Sequence, residues 1–179
     1  GLAQEDEGID LIASVEGLGM LIKNSLRQGN DWYDGECDIL LPKKIKDVKC
    51  SWDAYTFPKF EDELTNYNYI CQGNGYMDIF DREEYDLQYC LVDAPQWLID
   101  SEYWSAHYKI QKETGVEFVD NEVNADLYEQ VRSKMIHSHL PEEQRIKTFT
   151  FKRDDKLIAL MRNRVEEVRE VLIPKLLKR

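Results

Sequence analysis

Between Cys37 and Cys50 two apolar-rich segments flank a short polar connection. Cys37-Asp38-Ile39-Leu40-Leu41 comes first, Pro42-Lys43-Lys44 follows, and Ile45-Lys46-Asp47-Val48-Lys49-Cys50 completes the unit. Such a pattern predicts a β-hairpin. Side chains on a strand alternate between faces, so Asp47 and Lys49 share one face while Val48 points the other way, into a core. With the turn centred on Pro42 and Lys43, Asp38 stands opposite Asp47 and Glu36 opposite Lys49. Three carboxylates and one ammonium then occupy a single patch. A shift of one residue would send Asp38 to the other face.

Like charges facing each other across a hairpin destabilise it. A hard divalent cation, Mg²⁺ or Mn²⁺, reverses that balance, because carboxylate and carbonyl oxygens suit such ions. The bland alternative is a solvated acidic surface. With 35 acidic and 23 basic residues and a net charge of -12, chance alone can supply an acid-spacer-acid-x-lysine match. The motif therefore needs structural context before it carries chemistry.

That context lies downstream. The run Asp47-Val48-Lys49-Cys50-Ser51-Trp52-Asp53-Ala54-Tyr55-Thr56-Phe57-Pro58 leads to Gln72-Gly73-Asn74-Gly75-Tyr76-Met77 and then to Tyr89-Cys90-Leu91-Val92-Asp93-Ala94-Pro95. It resembles the phage-encoded PD-(D/E)xK nucleases of the lambda exonuclease, YqaJ and RecB-type group. In that group the lysine-bearing strand is followed by a helix carrying a glutamine and a tyrosine, and then by another core strand. Gln72 and Tyr76, four positions apart, share one face of a helix. The resemblance implies an α/β fold with a restriction-endonuclease-like core: a central mixed β-sheet flanked by α-helices, with a long C-terminal helix. It also implies a metal-dependent deoxyribonuclease, an exonuclease acting on double-stranded DNA in phage recombination or replication.

Residue roles follow from the same resemblance. Asp38 and Asp47 would ligate one or two Mg²⁺ or Mn²⁺ ions, joined by the backbone carbonyl of Val48. Lys49 would orient or activate the attacking water, and Gln72 would position that water or the scissile phosphate. Glu36, Ser51 and Tyr76 would support the site. The stretch 1–5, followed by Gly8 and Leu11, is similar to the group's first-helix pattern, which makes Glu5 a further candidate ligand and Glu7 its alternative. Equally, Glu5, Asp6 and Glu7 favour a helix N-terminus through its dipole without touching a metal. One departure stands out: Cys37 precedes Asp38 where relatives often carry proline.

The charge is uneven. Residues 1–100 hold 21 acids and 8 bases, whereas 101–179 hold 14 acids and 15 bases. Lys43, Lys44 and Lys46, together with the basic stretch 144–179, form a candidate phosphate track despite the global sign. The expected partners are DNA ends, further copies of the chain in a homo-oligomer and, through the resemblance, a single-strand annealing protein. The rival class is a non-catalytic acidic binding protein, an inhibitor or immunity protein that presents carboxylates to a basic partner in place of DNA.

Elsewhere the pattern fits one domain spanning 1–179, large enough to bury a substantial core. Apolar residues at helical spacing predict a helix over 9–26, ended by Gly29, with Trp32 and Tyr33 opening the sheet region. A largely helical stretch is expected over 60–81, although Asn74-Gly75 is a strong hairpin dipeptide. Two glycines inside a helix also cost roughly 2 kcal/mol relative to alanine. A buried strand is expected over 87–92, a helix over 95–111, a helix after an Asn124 cap, and a strand at Thr148-Phe149-Thr150-Phe151. Asp154 then opens a long helix whose Ile158, Met161, Val165, Val168 and Leu172 form either a coiled-coil seam or, more simply, a face packed on the sheet. The cysteines Cys37, Cys50, Cys71 and Cys90 include no CxxC pair, which disfavours zinc, and they read as reduced thiols in a cytoplasmic setting. His137-Ser138-His139 lacks the downstream residues of a His-x-His metalloprotease and is expected at a helix end.

Overall fold

The computed structural model describes residues 4–115 and 123–176. In chain order the elements are α1 (Glu5–Glu16), β1 (Gln28–Gly29), β2 (Asp34–Gly35), β3 (Ile39–Leu40), β4 (Lys44–Ser51), α2 (Tyr67–Phe80), β5 (Glu84–Leu91), α3 (Gln96–Thr114), α4 (Ala125–Ser133), β6 (Ile146–Lys152) and α5 (Asp155–Leu176). They form two compact units, one built from 1–17, 50–59 and 89–147, the other from 18–49, 60–88 and 148–179.

Four strands make a sheet in the order β3-β4-β5-β6. β3 and β4 are antiparallel, with Ile39 opposite Lys46 and Leu40 opposite Ile45. The side-chain bridges give the remaining directions. Lys44 meets Asp86, and Lys46 meets Asp86 and Gln88, so numbers rise together and β4 runs parallel to β5. The helical crossover α2 makes that parallel pairing feasible. Thr150 donates to Asp86 and Gln88 donates to Thr148, so β6 runs antiparallel to β5. The sheet is mixed, with α2 on one face and the long α5 closing the chain.

In the second unit α2 lies close against the sheet. A Cβ on Gly73 would stand 2.6 Å from Phe151 and 2.9 Å from Tyr85, so only glycine fits at this contact. The Asn74-Gly75 dipeptide therefore sits inside a helix, and tertiary packing overrides its turn preference. The Asn74 side chain, 1% exposed, donates to the Ile70 carbonyl and accepts from the Asp154 amide, which satisfies its polar atoms inside the core. The helix starts at Tyr67, with the Asn66 side chain accepting from the Asn68 amide, rather than near residue 60. α5 packs on α2 and buries Leu157 and Ile158. Farther along, Val168 and Leu172 are 36% and 48% exposed, so the apolar seam of this helix is covered only at its beginning.

In the first unit α1 buries Ile9, Leu11 and Ile12. The helix expected over 9–26 stops ten residues early, at Gly17, whose φ of 64° is the left-handed geometry that favours glycine. Leu18, Ile22 and Leu26 continue the helical spacing but are 49%, 75% and 53% exposed. α3 follows Pro95, and Asn124 caps α4 by accepting from the Leu127 amide, both as the sequence implies. Ala94, Ile99 and Met135 form a cluster covered by Trp52, Tyr128 and Val131. Among the described residues no helix is long and apolar enough to cross a membrane. All four cysteines are free thiols.

Candidate active site

The β3–β4 register pairs Ile39 with Lys46 and Leu40 with Ile45, the register expected from a turn centred on Pro42 and Lys43. Asp38 immediately precedes β3, and Glu36 lies outside the paired residues. Asp38 Oδ2 accepts the Val48 amide hydrogen at 2.6 Å, which ties this carboxylate to the backbone of β4. Asp47, 1% exposed, forms an ion pair with Lys49 two residues along the same face. Lys49 is partly covered, and its ammonium also lies 5.5 Å from the centre of the Tyr69 ring. Burial alone would lower the lysine pKa. The charges of Asp47 and then Asp38 outweigh that effect and hold it above the ordinary value, so Lys49 stays cationic.

α2 supplies the other wall. Gln72 Nε2 donates to the Tyr76 hydroxyl at 3.1 Å, one helical turn away. Tyr76 packs over Gly35, where a Cβ would approach its ring to 2.6 Å. Burial raises the Tyr76 pKa, with Asp47 and Asp38 adding to the effect, which places its phenol in the field of both carboxylates. Tyr85 on β5 is fully buried beside Asp47, and burial followed by that carboxylate pushes its phenol far above the ordinary range. Cys37, immediately before Asp38, is buried, and burial raises its thiol to about 12.

Tyr69 and Tyr85 were not among the residues expected from the motif. Both had readable signals. Tyr69, Gln72 and Tyr76 are spaced by three and four residues on one helical face, and Tyr85 lies on the core face of a strand parallel to β4.

The remaining candidates are placed differently. Lys46 is 3% exposed and its ammonium bonds Asp86 and Gln88 at 3.2 Å each, on the sheet face opposite Asp47. A DNA-contacting role for Lys46 is corrected by this burial, and strand alternation alone separates it from Asp47. Lys44 is partly buried and paired with Asp86 at 2.9 Å. Lys43 on the turn remains exposed, as does Glu36. Ser51 lies in the first unit, buried, its carbonyl accepting from Val92. Glu5 lies in the same unit, buried in the first turn of α1, whereas Glu7 is exposed. Residues 1–3 of the amino-terminal pattern fall outside the described residues. His137 follows α4 in the loop rather than capping its last turn. Its backbone amide donates to Asp93, and its ring nitrogen lies 3.2 Å from the Trp52 carbonyl.

Among the described residues no three His, Cys, Asp or Glu side chains gather into a metal centre. The donors present are the carboxylates of Asp38 and Asp47 and the carbonyl of Val48. All are oxygens held on two adjacent strands, the chemistry a hard dication takes when water or phosphate completes its shell. The residues fit such an ion.

A buried aspartate paired with a partly covered lysine on a central strand, with a second carboxylate and the tyrosines of the crossover helix nearby, sits in a mixed α/β fold consistent with a nuclease-like core. No protein-family model matches the chain, and a search of curated proteins finds no match. Among solved structures it is similar to the phage-related exonuclease from Haemophilus somnus 129PT, at 30% identity and a TM-score of 0.69. The match covers 98% of this chain and 71% of that one. The chain belongs to the family of phage-related exonucleases.

Proposed function

We propose that this protein is a Mg²⁺- or Mn²⁺-dependent deoxyribonuclease of the PD-(D/E)xK superfamily that degrades double-stranded DNA from its ends in phage recombination or replication. The observation that carries this reading is the gathering of Asp38 and Asp47 around Lys49: Asp47 forms an ion pair with Lys49, and the Asp38 carboxylate accepts the amide of Val48 between them. Kinship with a phage-related exonuclease supports it.

Asp38, Asp47 and the Val48 carbonyl would hold the ion, which when bound lowers the pKa of a coordinated water and acts as a Lewis acid toward the phosphate. Lys49, held by Asp47 and braced by Tyr69, donates to the attacking water or to a non-bridging oxygen and offsets the charge that builds there. Gln72, anchored by Tyr76, is set to orient the water or the phosphate from the helical side. Tyr85 fills the space beneath Asp47 and keeps bulk water from that side of the carboxylate.

Substrate attraction works against a net charge of -12. Several bases of the terminal stretch are already engaged: Arg153 and Arg162 both bond Asp78. Lys43 is therefore the remaining exposed cation among the three hairpin lysines assigned to phosphate contact, and DNA binding should weaken steeply with salt.

The test uses end-labelled linear duplex incubated with the full chain in Mg²⁺, in Mn²⁺ and in EDTA. Metal-dependent release of label that is abolished by Asp38→Ala, Asp47→Ala and Lys49→Ala supports the assignment. Wild-type protein that behaves like these variants removes it. A closed circular duplex checks the narrower point, because efficient cutting of that substrate is incompatible with a strict exonuclease.

A further inference from the structure

β6 is the last strand of its sheet. Its pairing with β5 gives each backbone group a direction. The Arg153 amide donates to the Glu83 carbonyl at 3.1 Å, and in an antiparallel ladder such bonded pairs recur at every second residue. Odd-numbered residues of β6 thus direct their amides and carbonyls toward β5, and Thr148, Thr150 and Lys152 direct theirs outward. The outward edge borders a groove of about 460 Å³ whose lining also includes Asp62, Glu63, Leu64 and Asp154. Three carboxylates against the single cation of Lys152 make the groove acidic.

We infer that this edge docks an extended, basic segment of a partner protein as a fifth strand beside β6. Strand addition draws affinity from main-chain hydrogen bonds and specificity from alternate side chains. Here the outward groups of β6 offer the ladder, and Asp62, Glu63 and Asp154 select lysine or arginine on the incoming segment. The sign of the groove repels a phosphate backbone, which separates this surface from the nuclease site. A segment of about six residues matches an ordinary strand length.

The probe is a fluorescein-labelled seven-residue peptide of alternating lysine and valine, titrated with the full chain and followed by anisotropy. Its glutamate–valine counterpart serves as the control. Saturable binding of the lysine peptide, at least tenfold tighter than the glutamate peptide, is expected. Lys152→Pro removes one outward amide and one cation together. Attraction between charges alone would then strengthen binding, whereas strand addition predicts a loss of tenfold or more; proline is tolerated at an edge position whose amide faces out. Asp62→Asn combined with Glu63→Gln should weaken binding severalfold. Peptides N-methylated at alternate positions provide a readout independent of the variants: one set should bind and the other fail. Equal binding of both charge types, equal binding of both methylated sets, or no anisotropy change up to about 1 mM of the full chain overturns the inference.

Discussion

Asp38, just before β3, accepts the amide hydrogen of Val48 on β4 at 2.6 Å, so one candidate ligand is fastened to the strand that carries the other. Replacing Asp38 with asparagine keeps an oxygen acceptor for that amide while removing the charge. The fold should persist, with the thermal midpoint close to wild type. Release of label from duplex ends should fall by more than about a hundredfold, the upper range seen when even the outer partners of a metal are removed. A melt and an end-release assay on the same preparation separate the two effects.

Two glycines in α2 should respond in opposite directions. Alanine at position 73 places a Cβ 2.6 Å from Phe151 and 2.9 Å from Tyr85, so overpacking of about 1–3 kcal/mol exceeds the gain of about 1 kcal/mol in helix propensity. At position 75 the nearest atom is Met161 Cε at 3.5 Å, an ordinary contact, and propensity prevails. Chemical denaturation should show Gly73→Ala less stable than wild type and Gly75→Ala more stable.

The hairpin is legible in the sequence because apolar residues on both sides of Pro42-Lys43 mark two strands, whereas its register rests on where the turn is centred; the pairing of Ile39 with Lys46 matches a turn at Pro42 and Lys43. Lys46 was misread only where alternation was ignored: it is one residue from Asp47 and therefore on the opposite face. The first helix was overextended for another reason. Leu18, Ile22 and Leu26 continue the apolar period, yet periodicity says nothing about the backbone, and the left-handed Gly17 ends the helix first. The Asn74-Gly75 turn signal failed in the reverse sense, since the contact of Gly73 with Phe151 and Tyr85 depends on a strand 78 residues downstream and cannot be seen in a local window.

Asp78 links acidity to stability. Its side chain is 3% exposed and bonds Arg162, Arg153, Tyr33 and Asn30. Burial would raise its pKa, but Arg162, Tyr33 and Arg153 outweigh that and hold it below the ordinary carboxylate value. A carboxyl with a lowered folded-state pKa stabilises the fold fully above its unfolded pKa of about 4, and that contribution disappears as pH falls through the folded value. The difference in unfolding free energy between wild type and Asp78→Asn should be largest near neutrality and shrink below about pH 4. At neutral pH, Asp78→Ala should cost about 3 kcal/mol, because two guanidinium groups lose their counter-charge.

Tyr76→Phe removes the hydroxyl that receives Gln72 at 3.1 Å. Losing an anchor of about 1 kcal/mol should lower kcat roughly fivefold with KM little changed, since the phenyl ring still packs over Gly35. Gln72→Ala should lower it further. Steady-state rates on a uniform duplex decide the order, and a Tyr76→Phe enzyme with wild-type kcat would remove Gln72 orientation from the mechanism.

β4 carries two incompatible faces. Lys44 and Lys46 are bonded to Asp86 on one side, while Asp47 and Lys49 stand on the other with Tyr85 and Tyr69. An inserted or deleted residue between Lys46 and Asp47 would swap the faces for half the strand, leaving Lys46 or Asp47 without its counter-charge. Length variation should therefore be tolerated at the Pro42-Lys43 turn and abolish activity between Lys46 and Asp47, which makes the spacing of this strand more restrictive than the identity of most residues along it.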